Sequence, residues 1–117
     1  MKIVIAGAGE VGTHLAKLLS KEGLDIILID ADESRLLAMD ANYNLMTLTG
    51  SPAAFKTLKK AKVNNCDLFI AVTPFETRNI VACTFAKKLG AKKTVARIDN
   101  YEFLKAEYKK YFLEMGV

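Results

Sequence analysis

The chain is poor in the residues from which most catalytic and metal sites are built. It has one histidine, His14, and two cysteines, Cys66 and Cys83, in 117 residues. His14 lies on a predicted helix, and no cysteine, serine or second acid stands in a recognisable nucleophile arrangement with it. A surface or packing role therefore fits it better than general base catalysis. The two cysteines match no metal-ligand or redox spacing and read as a reduced, partly buried pair, so no metal site and no catalytic residue is assigned. No apolar run approaches the roughly 18 residues that span a bilayer. Met1-Lys2 leads directly into a strand and a glycine loop, so no secretory leader is expected and the placement is cytoplasmic. Linkers, low-complexity tracts and internal repeats are absent, which makes residues 1–117 a single domain. That length leaves no room for a substrate domain beside a nucleotide-binding half, which argues against a complete dehydrogenase. The excess of one sign of charge is small too: the formal balance is +4. The excess lies in Lys56, Lys59, Lys60 and Lys62, in Lys87, Lys88, Lys92 and Lys93, and in Lys105, Lys109 and Lys110. These fall on helix ends and polar faces with no interleaved aromatics, the pattern of a solvated surface and not of a nucleic-acid site.

What is present is an apolar strand, Ile3-Val4-Ile5-Ala6, running into Gly7-Ala8-Gly9-Glu10-Val11-Gly12. In Gly-x-Gly-x-x-Gly the first glycine turns the chain out of the strand, the second lets a pyrophosphate approach the backbone, and the third lets the next helix pack closely. Such a helix opens with unpartnered N–H groups and the positive end of its dipole at the ligand. The motif alone is weak. Its context strengthens it: an amphipathic helix follows, with Val11, Leu15, Leu18 and Leu19 on one face, and then a second apolar strand ending at Asp30. A carboxylate there accepts hydrogen bonds from an adenosine ribose and repels a 2′-phosphate, so NAD or another adenine nucleotide fits better than NADP.

Apolar and helical segments alternate to the end. The periodicities predict strands at 2–6, 25–30, 44–49, 67–73 and 93–98, and helices at 10–22, 32–41, 52–61, 76–89 and 101–114. This is an α/β pattern: a Rossmann-like, doubly wound parallel sheet of order 3-2-1-4-5 with helices on both faces. Its ligand lies at the carboxyl ends of strands one and four, where the order reverses. Gly23 and Gly90 are expected to cap helices one and four, Asp32 to open the second, and Ser51-Pro52 to open the third. The expected core is Ile3, Ile5, Leu15, Leu19, Ile27, Ile29, Leu36, Leu37, Leu48, Leu58, Leu68, Ile70, Val72, Val81, Phe85, Leu89, Val95 and Ile98.

Several residues at the carboxyl edge can face a ligand. Arg35 either stacks on adenine or pairs with Asp32 or Glu33. Gly50 and Ser51 stand beside the adenosine pocket, although a turn and cap role explains Ser51 equally. Thr73 and Pro74 end the fourth strand, Thr73 within reach of phosphate or the distal ribose, and Thr77 or Glu76 caps the helix that follows. Asn79 can hydrogen-bond a neighbour of the ligand. Arg97 either clamps phosphate or pairs with Asp99. Glu10 is the odd member of the cradle, since a carboxylate beside a polyphosphate is unfavourable unless it meets a cation or faces away.

Together, Gly7 to Gly12, Ile29-Asp30-Ala31-Asp32 with Arg35, Thr49-Gly50-Ser51, Val72-Thr73 with Glu76 and Asn79, and Ala96-Arg97 resemble a known family. The chain is similar to the N-terminal nucleotide-binding domain of Trk-type potassium-uptake regulators, the RCK, KTN or TrkA-N domain, over essentially its whole length. The resemblance implies binding of NAD(H), in some members ATP or ADP, on the cytosolic face of a potassium transporter or channel subunit whose gating the nucleotide changes. It further implies that Gly7, Gly9 and Gly12 hold the phosphates, Asp30 the adenosine ribose, Arg35 and Ser51 the adenosine side, and Thr73 and Arg97 the phosphate or nicotinamide side. Ala8, Glu10, Val11, Ala31, Gly50, Pro74 and Asn79 complete the expected cofactor-binding set. Some members carry arginine where this chain has Glu10, a departure that favours NAD(H) over a triphosphate. The rival reading is the cofactor domain of an NAD-dependent oxidoreductase.

Two further expectations concern the carboxyl end. Gly116-Val117 is a natural turn from helix into a further strand, so a longer protein is expected. The segment holding Tyr101, Phe103, Leu104, Tyr108, Tyr111, Phe112 and Leu113 has more apolar surface than one packed face needs, so a homodimer or larger ring is expected. Asp30→Ala is expected to weaken NADH binding by one to three decades, from roughly 2–4 kcal/mol of lost charge-assisted hydrogen bonds, with the fold unaffected because a strand end supports no core packing. A titration followed by NADH fluorescence tests it.

Overall fold

The computed structural model describes the backbone of all 117 residues and the side chains of all except Asp40, Ala41, Asn42 and Tyr101. Runs of β-branched and apolar residues form the strands: β1 (Lys2–Ala6), β2 (Asp25–Asp30), β3 (Met46–Thr49), β4 (Leu68–Ala71) and β5 (Lys93–Ala96). All neighbouring strands are parallel, in the expected order β3-β2-β1-β4-β5. The helices between them are α1 (Glu10–Ser20), α2 (Glu33–Asn42), α3 (Phe55–Lys60) and α4 (Glu76–Leu89), with α5 (Ala106–Met115) last.

Alternate residues of each strand feed two cores. Ile3, Ile5, Ile26, Leu28, Ile70 and Val72 meet Ala16 of α1 and Leu36 and Met39 of α2. On the other face Val4, Ile29, Phe69 and Ala71 meet Leu58 of α3 and Ala82, Cys83 and Ala86 of α4. Central parallel strands buried on both faces must be apolar along their whole length, which is why β1 and β2 show no polar alternation. Among the expected core residues, Leu37, Val81 and Val95 are exposed, at 62%, 40% and 51%. Only one of the successive leucines Leu36 and Leu37 can face the sheet. Val95 pairs with Ile70, which places it on the α1–α2 face of an edge strand, and there it stays open. Val11 and Leu18 are exposed as well, because α1 packs through Gly12 and Ala16, with Leu15 and Leu19 at its flanks.

Helix boundaries moved for local reasons. Ser51 and Pro52 do not open α3: the Ser51 Oγ accepts from Ala53 N–H at 3.3 Å and its carbonyl from Ala54 N–H at 3.2 Å, so a turn takes these residues and the helix starts at Phe55. The helix expected at 101–114 is split. Asn100 caps a one-turn 3-10 helix, Tyr101–Leu104, and extended Lys105 interrupts the path before α5. Gly90 closes α4 in the left-handed region as expected, whereas α1 ends at Ser20 with Lys21 as its cap, ahead of Gly23. Asp32 caps α2 by accepting from Ser34 N–H at 3.0 Å. At the amino edge of the sheet Asp67 accepts from Lys2 N–H at 2.8 Å and from Lys92 Nζ at 3.1 Å, contacts that hold its carboxyl below the usual range.

The glycine loop joins β1 to α1 by backbone against backbone. A Cβ on Gly12 would stand 1.7 Å from the Gly7 carbonyl oxygen. Gly7 itself has φ +118, and a Cβ there would lie 3.0 Å from the Thr73 nitrogen at the end of β4. Gly12→Ala should therefore lower stability by about 2 kcal/mol or more, because backbone must move to admit the methyl group. Gly9→Ala should leave the melting temperature within a degree or two, since nothing lies within 4 Å of a Cβ built there. Thermal melts of the two variants check this, and equal losses would contradict it.

Candidate functional site

Where β1 and β4 part at the carboxyl edge, a cavity of about 530 Å³ opens between the end of β2 and the loop from β4 to α4. It brings together the predicted residues Asp30, Ala31, Arg35, Thr73 and Pro74. Its lining also includes Pro52, from the turn expected beside the adenosine pocket, and Asp32, Glu33, Phe75 and Arg78, to which the sequence assigns no ligand contact. Gly7 to Gly12 form the turn between β1 and α1 at the same edge of the sheet. Glu10 and Val11 face a separate groove on α1 with His14 and Leu15, so Glu10 turns toward solvent and away from the Asp30 side.

Asp30 is the organising side chain. It is 8% exposed, its Oδ2 accepts from Ala8 N–H at 2.7 Å, and its Oδ1 accepts from Asp32 N–H at 2.8 Å. One carboxylate thus fixes both the glycine loop and the entry to α2, and each oxygen keeps a further lone pair. Beyond the ligand role expected of it, Asp30 has through these two bonds a structural role that its place at a strand end does not reveal. Arg35 lies in the ion-pair arrangement, with Nη1 3.9 Å from Asp30 Oδ2 and Nε 3.6 Å from Asp32 Oδ2. The Ser34 hydroxyl and backbone N–H hold the Asp32 carboxyl below the usual range.

Across the crevice Asn79 is fully buried and its amide is wholly engaged. Its Oδ1 accepts from Thr73 N–H at 2.9 Å and Thr73 Oγ1 at 2.6 Å, and its Nδ2 donates to the carbonyls of Thr73 at 2.9 Å and Arg97 at 3.0 Å. Asn79 therefore positions the ends of β4 and β5 and leaves no polar atom for a ligand. Neither Thr77 nor Glu76 caps α4, whose N-cap is Phe75 with no side-chain bond. Glu76 instead accepts from Asp99 N–H at 3.1 Å and Asn100 N–H at 2.8 Å, tying the start of α4 to the segment after β5. Arg97 is paired with Asp99 at 3.4 Å and stands outside the main cavity, as do Gly50 and Ser51. A Cβ on Gly50 would press on the Thr57 side chain at 2.5 Å, and the Gly50 N–H donates to the Asp30 carbonyl, so packing accounts for this glycine.

The fit of a dinucleotide rests on Gly9. Gly7 and Gly12 are glycines because the folded chain leaves them no room, but Gly9 has open space and an ordinary extended backbone. Nothing inside the chain requires a glycine there, whereas a phosphate group approaching the start of α1 does. Among the described residues no group of three His, Cys, Asp or Glu can hold a metal ion. His14 is exposed on α1. Cys66 and Cys83 are free and buried, and burial pushes the Cys83 thiol up to about 12 and that of Cys66 upward, so neither supplies a thiolate.

The model of the TrkA-N domain family matches residues 3–117. The chain belongs to the TrkA-N family. A Trk system potassium uptake protein TrkA homolog of Archaeoglobus fulgidus is 40% identical over 104 residues, which cover 89% of this TrkA-N chain and 23% of that protein. The chain thus spans about a quarter of the length of this relative. Among solved structures, the TrkA-N domain of the inner membrane protein ybaL from Escherichia coli has a TM-score of 0.84 at 16% identity, covering 99% of this chain and 82% of that one. The GsuK channel bound to NAD has a TM-score of 0.78 at 15% identity, covering 99% of this chain and 20% of that one. At those identities the likeness shows the fold of the TrkA-N domain.

The hydrogen bonds of Asp30 and Asn79 generate a stability prediction. Asp30→Ala should lower the free energy of unfolding by about 1–3 kcal/mol, and Asn79→Ala by about 2–4 kcal/mol, as buried N–H and C=O groups lose their partners. Urea unfolding measures both, and wild-type midpoints would contradict the roles given to these side chains.

Proposed function

We propose that this TrkA-N domain binds NAD(H) along the carboxyl edge of its sheet and acts as a regulatory subunit of a membrane potassium transporter or channel. The observation that carries the proposal is Gly9, a glycine the folded chain does not need, at the mouth of α1 beside a cavity walled by Asp30. In this reading the pyrophosphate lies over Gly9 and the first N–H groups of α1. The free lone pairs of Asp30 accept the ribose hydroxyls, and Arg35 borders the adenine. Asp30, Asp32 and Glu33 together disfavour a 2′-phosphate, which selects NAD(H) over NADP(H). The potassium-uptake name of the relative and the NAD-bound channel support the regulatory part of the proposal. Among the described residues no helix is long and apolar enough to cross a membrane, so the proposed place is peripheral, at the cytosolic face of the transporter.

The nucleotide serves as a signal and is not consumed. The cavity lining offers carboxylates, guanidinium groups and a threonine but no histidine, lysine, tyrosine or cysteine to deliver a proton to a carbonyl substrate. The proposed assembly is a homodimer or larger ring through α5. No residue of that helix is buried, and Leu104, Tyr108, Tyr111 and Leu113 are 46%, 38%, 50% and 74% exposed. Phe103 and Phe112 are accounted for by an edge-to-face contact at 5.7 Å, while the Tyr101 side chain lies outside the described residues. A mass above that of the monomer by light scattering at high micromolar concentration is the expected result, and a strict monomer would count against the ring.

The binding test is a titration of NADH into wild type and Gly9→Ala. Wild type should bind, and the variant should bind at least ~10-fold more weakly with an unchanged melting temperature, the added methyl group standing where the phosphates approach. Equal affinities would overturn the site. Steady oxidation of NADH with a small carbonyl compound would overturn the signal reading and restore that of an oxidoreductase domain. ATP, ADP and NADPH in the same titration rank the competitors, with NADH expected to bind tightest.

A further inference from the structure

A dinucleotide brings two negative charges into a cavity already walled by Asp30, Asp32 and Glu33. Glu10, in the first turn of α1, offsets part of the favourable dipole at the cradle. Some cation must compensate, and no lysine lines the cavity. The chain has three arginines, Arg35, Arg78 and Arg97, and all three stand near the carboxyl edge of the sheet. Two are already paired: Arg35 lies 3.6 Å from Asp32 and 3.9 Å from Asp30, and Arg97 lies 3.4 Å from Asp99.

Arg78 differs. Among the described residues no carboxylate lies within 4.0 Å of it, and its guanidinium carbon sits 4.7 Å from the centroid of the Phe75 ring. Phe75 is itself held in place, since its backbone N–H donates to Thr73 Oγ1 at 3.2 Å, and Thr73 is locked by buried Asn79. The aromatic face orients the guanidinium without neutralising it and leaves the N–H donors along its edge free. Arg78 therefore stands preorganised in the first turn of α4, lining the cavity from the β4 side while Asp30 lines it from the β2 side.

We propose that Arg78, held against Phe75, is the cation that meets the dinucleotide's phosphates in this domain and supplies the charge that the acid-rich β2 side withholds. The assignment rests on the nucleotide reading and adds to it a residue that the glycine motif does not predict. Planar guanidinium matches phosphate oxygens two at a time, and a charge-assisted pair of this kind is lost on truncation.

The test is NADH binding to the whole chain at several salt concentrations for wild type, Arg78→Ala, Arg78→Lys and Phe75→Leu. Arg78→Ala should bind about 10-fold or more weakly, from the ordinary strength of a charge-assisted bond, and with a shallower dependence on salt. Arg78→Lys should keep most of the salt dependence and part of the affinity. Phe75→Leu should fall between wild type and Arg78→Ala, its charge intact but no longer oriented. Arg78 is exposed, so melting temperatures should not change. Wild-type affinity in Arg78→Ala would overturn the assignment, as would a weaker affinity with the salt dependence unaltered, which would place the side chain on an uncharged part of the ligand. Failure of wild type to bind NADH would overturn the nucleotide reading and this assignment together, and is thereby distinguished from a defect confined to Arg78.

Discussion

The fold turns on one steric constraint, the contact of Gly12 with Gly7. Because the start of α1 rests directly on the backbone leaving β1, with a hypothetical Cβ only 1.7 Å from a carbonyl oxygen, the helix axis is fixed against the strand by main chain alone. The other features of the edge follow. The loop so formed presents Ala8 N–H to Asp30 and leaves Gly9 open, while the Gly7 turn lets the end of β4 approach to within van der Waals distance. Side chains could not hold this geometry as tightly, since each added rotamer would widen the gap through which α1 reaches the sheet.

Around that contact the site has two walls held by different means. On the β2 side a single carboxylate ties two loops and retains acceptor capacity. On the β4 side a buried amide ties Thr73 to Arg97, so that β4 and β5 end together. Both devices use polar atoms buried with their hydrogen bonds satisfied, and no buried side-chain nitrogen or oxygen among the described residues lacks a partner. Such networks specify one arrangement, because a half-satisfied alternative leaves a buried donor or acceptor unpaired. Glu76 extends the second wall by tying the start of α4 to Asp99 and Asn100 in the segment that follows β5.

Most of the architecture was legible in the sequence because it depends on periodicity and on glycine. The alternation of apolar strands with helices gave the parallel sheet and its order, and Gly7 to Gly12 with Asp30 located the switch point. What escaped has identifiable causes. The apolar face of Val11, Leu15, Leu18 and Leu19 was legible, but not that the close approach of α1 through Gly12 and Ala16 leaves Val11 and Leu18 exposed. Asn79 reads as a hydrogen-bonding partner of a ligand neighbour, and nothing local shows that its amide will be enclosed and fully engaged between two strand ends. Ser51-Pro52 carried a helix-start signal that a turn of four residues absorbed. Arg78 and Phe75 were passed over because their pairing depends on an i, i+3 contact at the first turn of α4, whose start was assigned to Thr77 or Glu76 capping.

The central claim is that the carboxyl edge of this TrkA-N domain is a seat for an NAD(H) dinucleotide. X-ray diffraction from crystals of the chain grown with NADH tests it most directly. The account predicts density for a pyrophosphate over Gly9 at the start of α1, with a ribose on Asp30. A dinucleotide bound elsewhere on the chain, or a crevice with only water over Gly9 at saturating NADH, would contradict it.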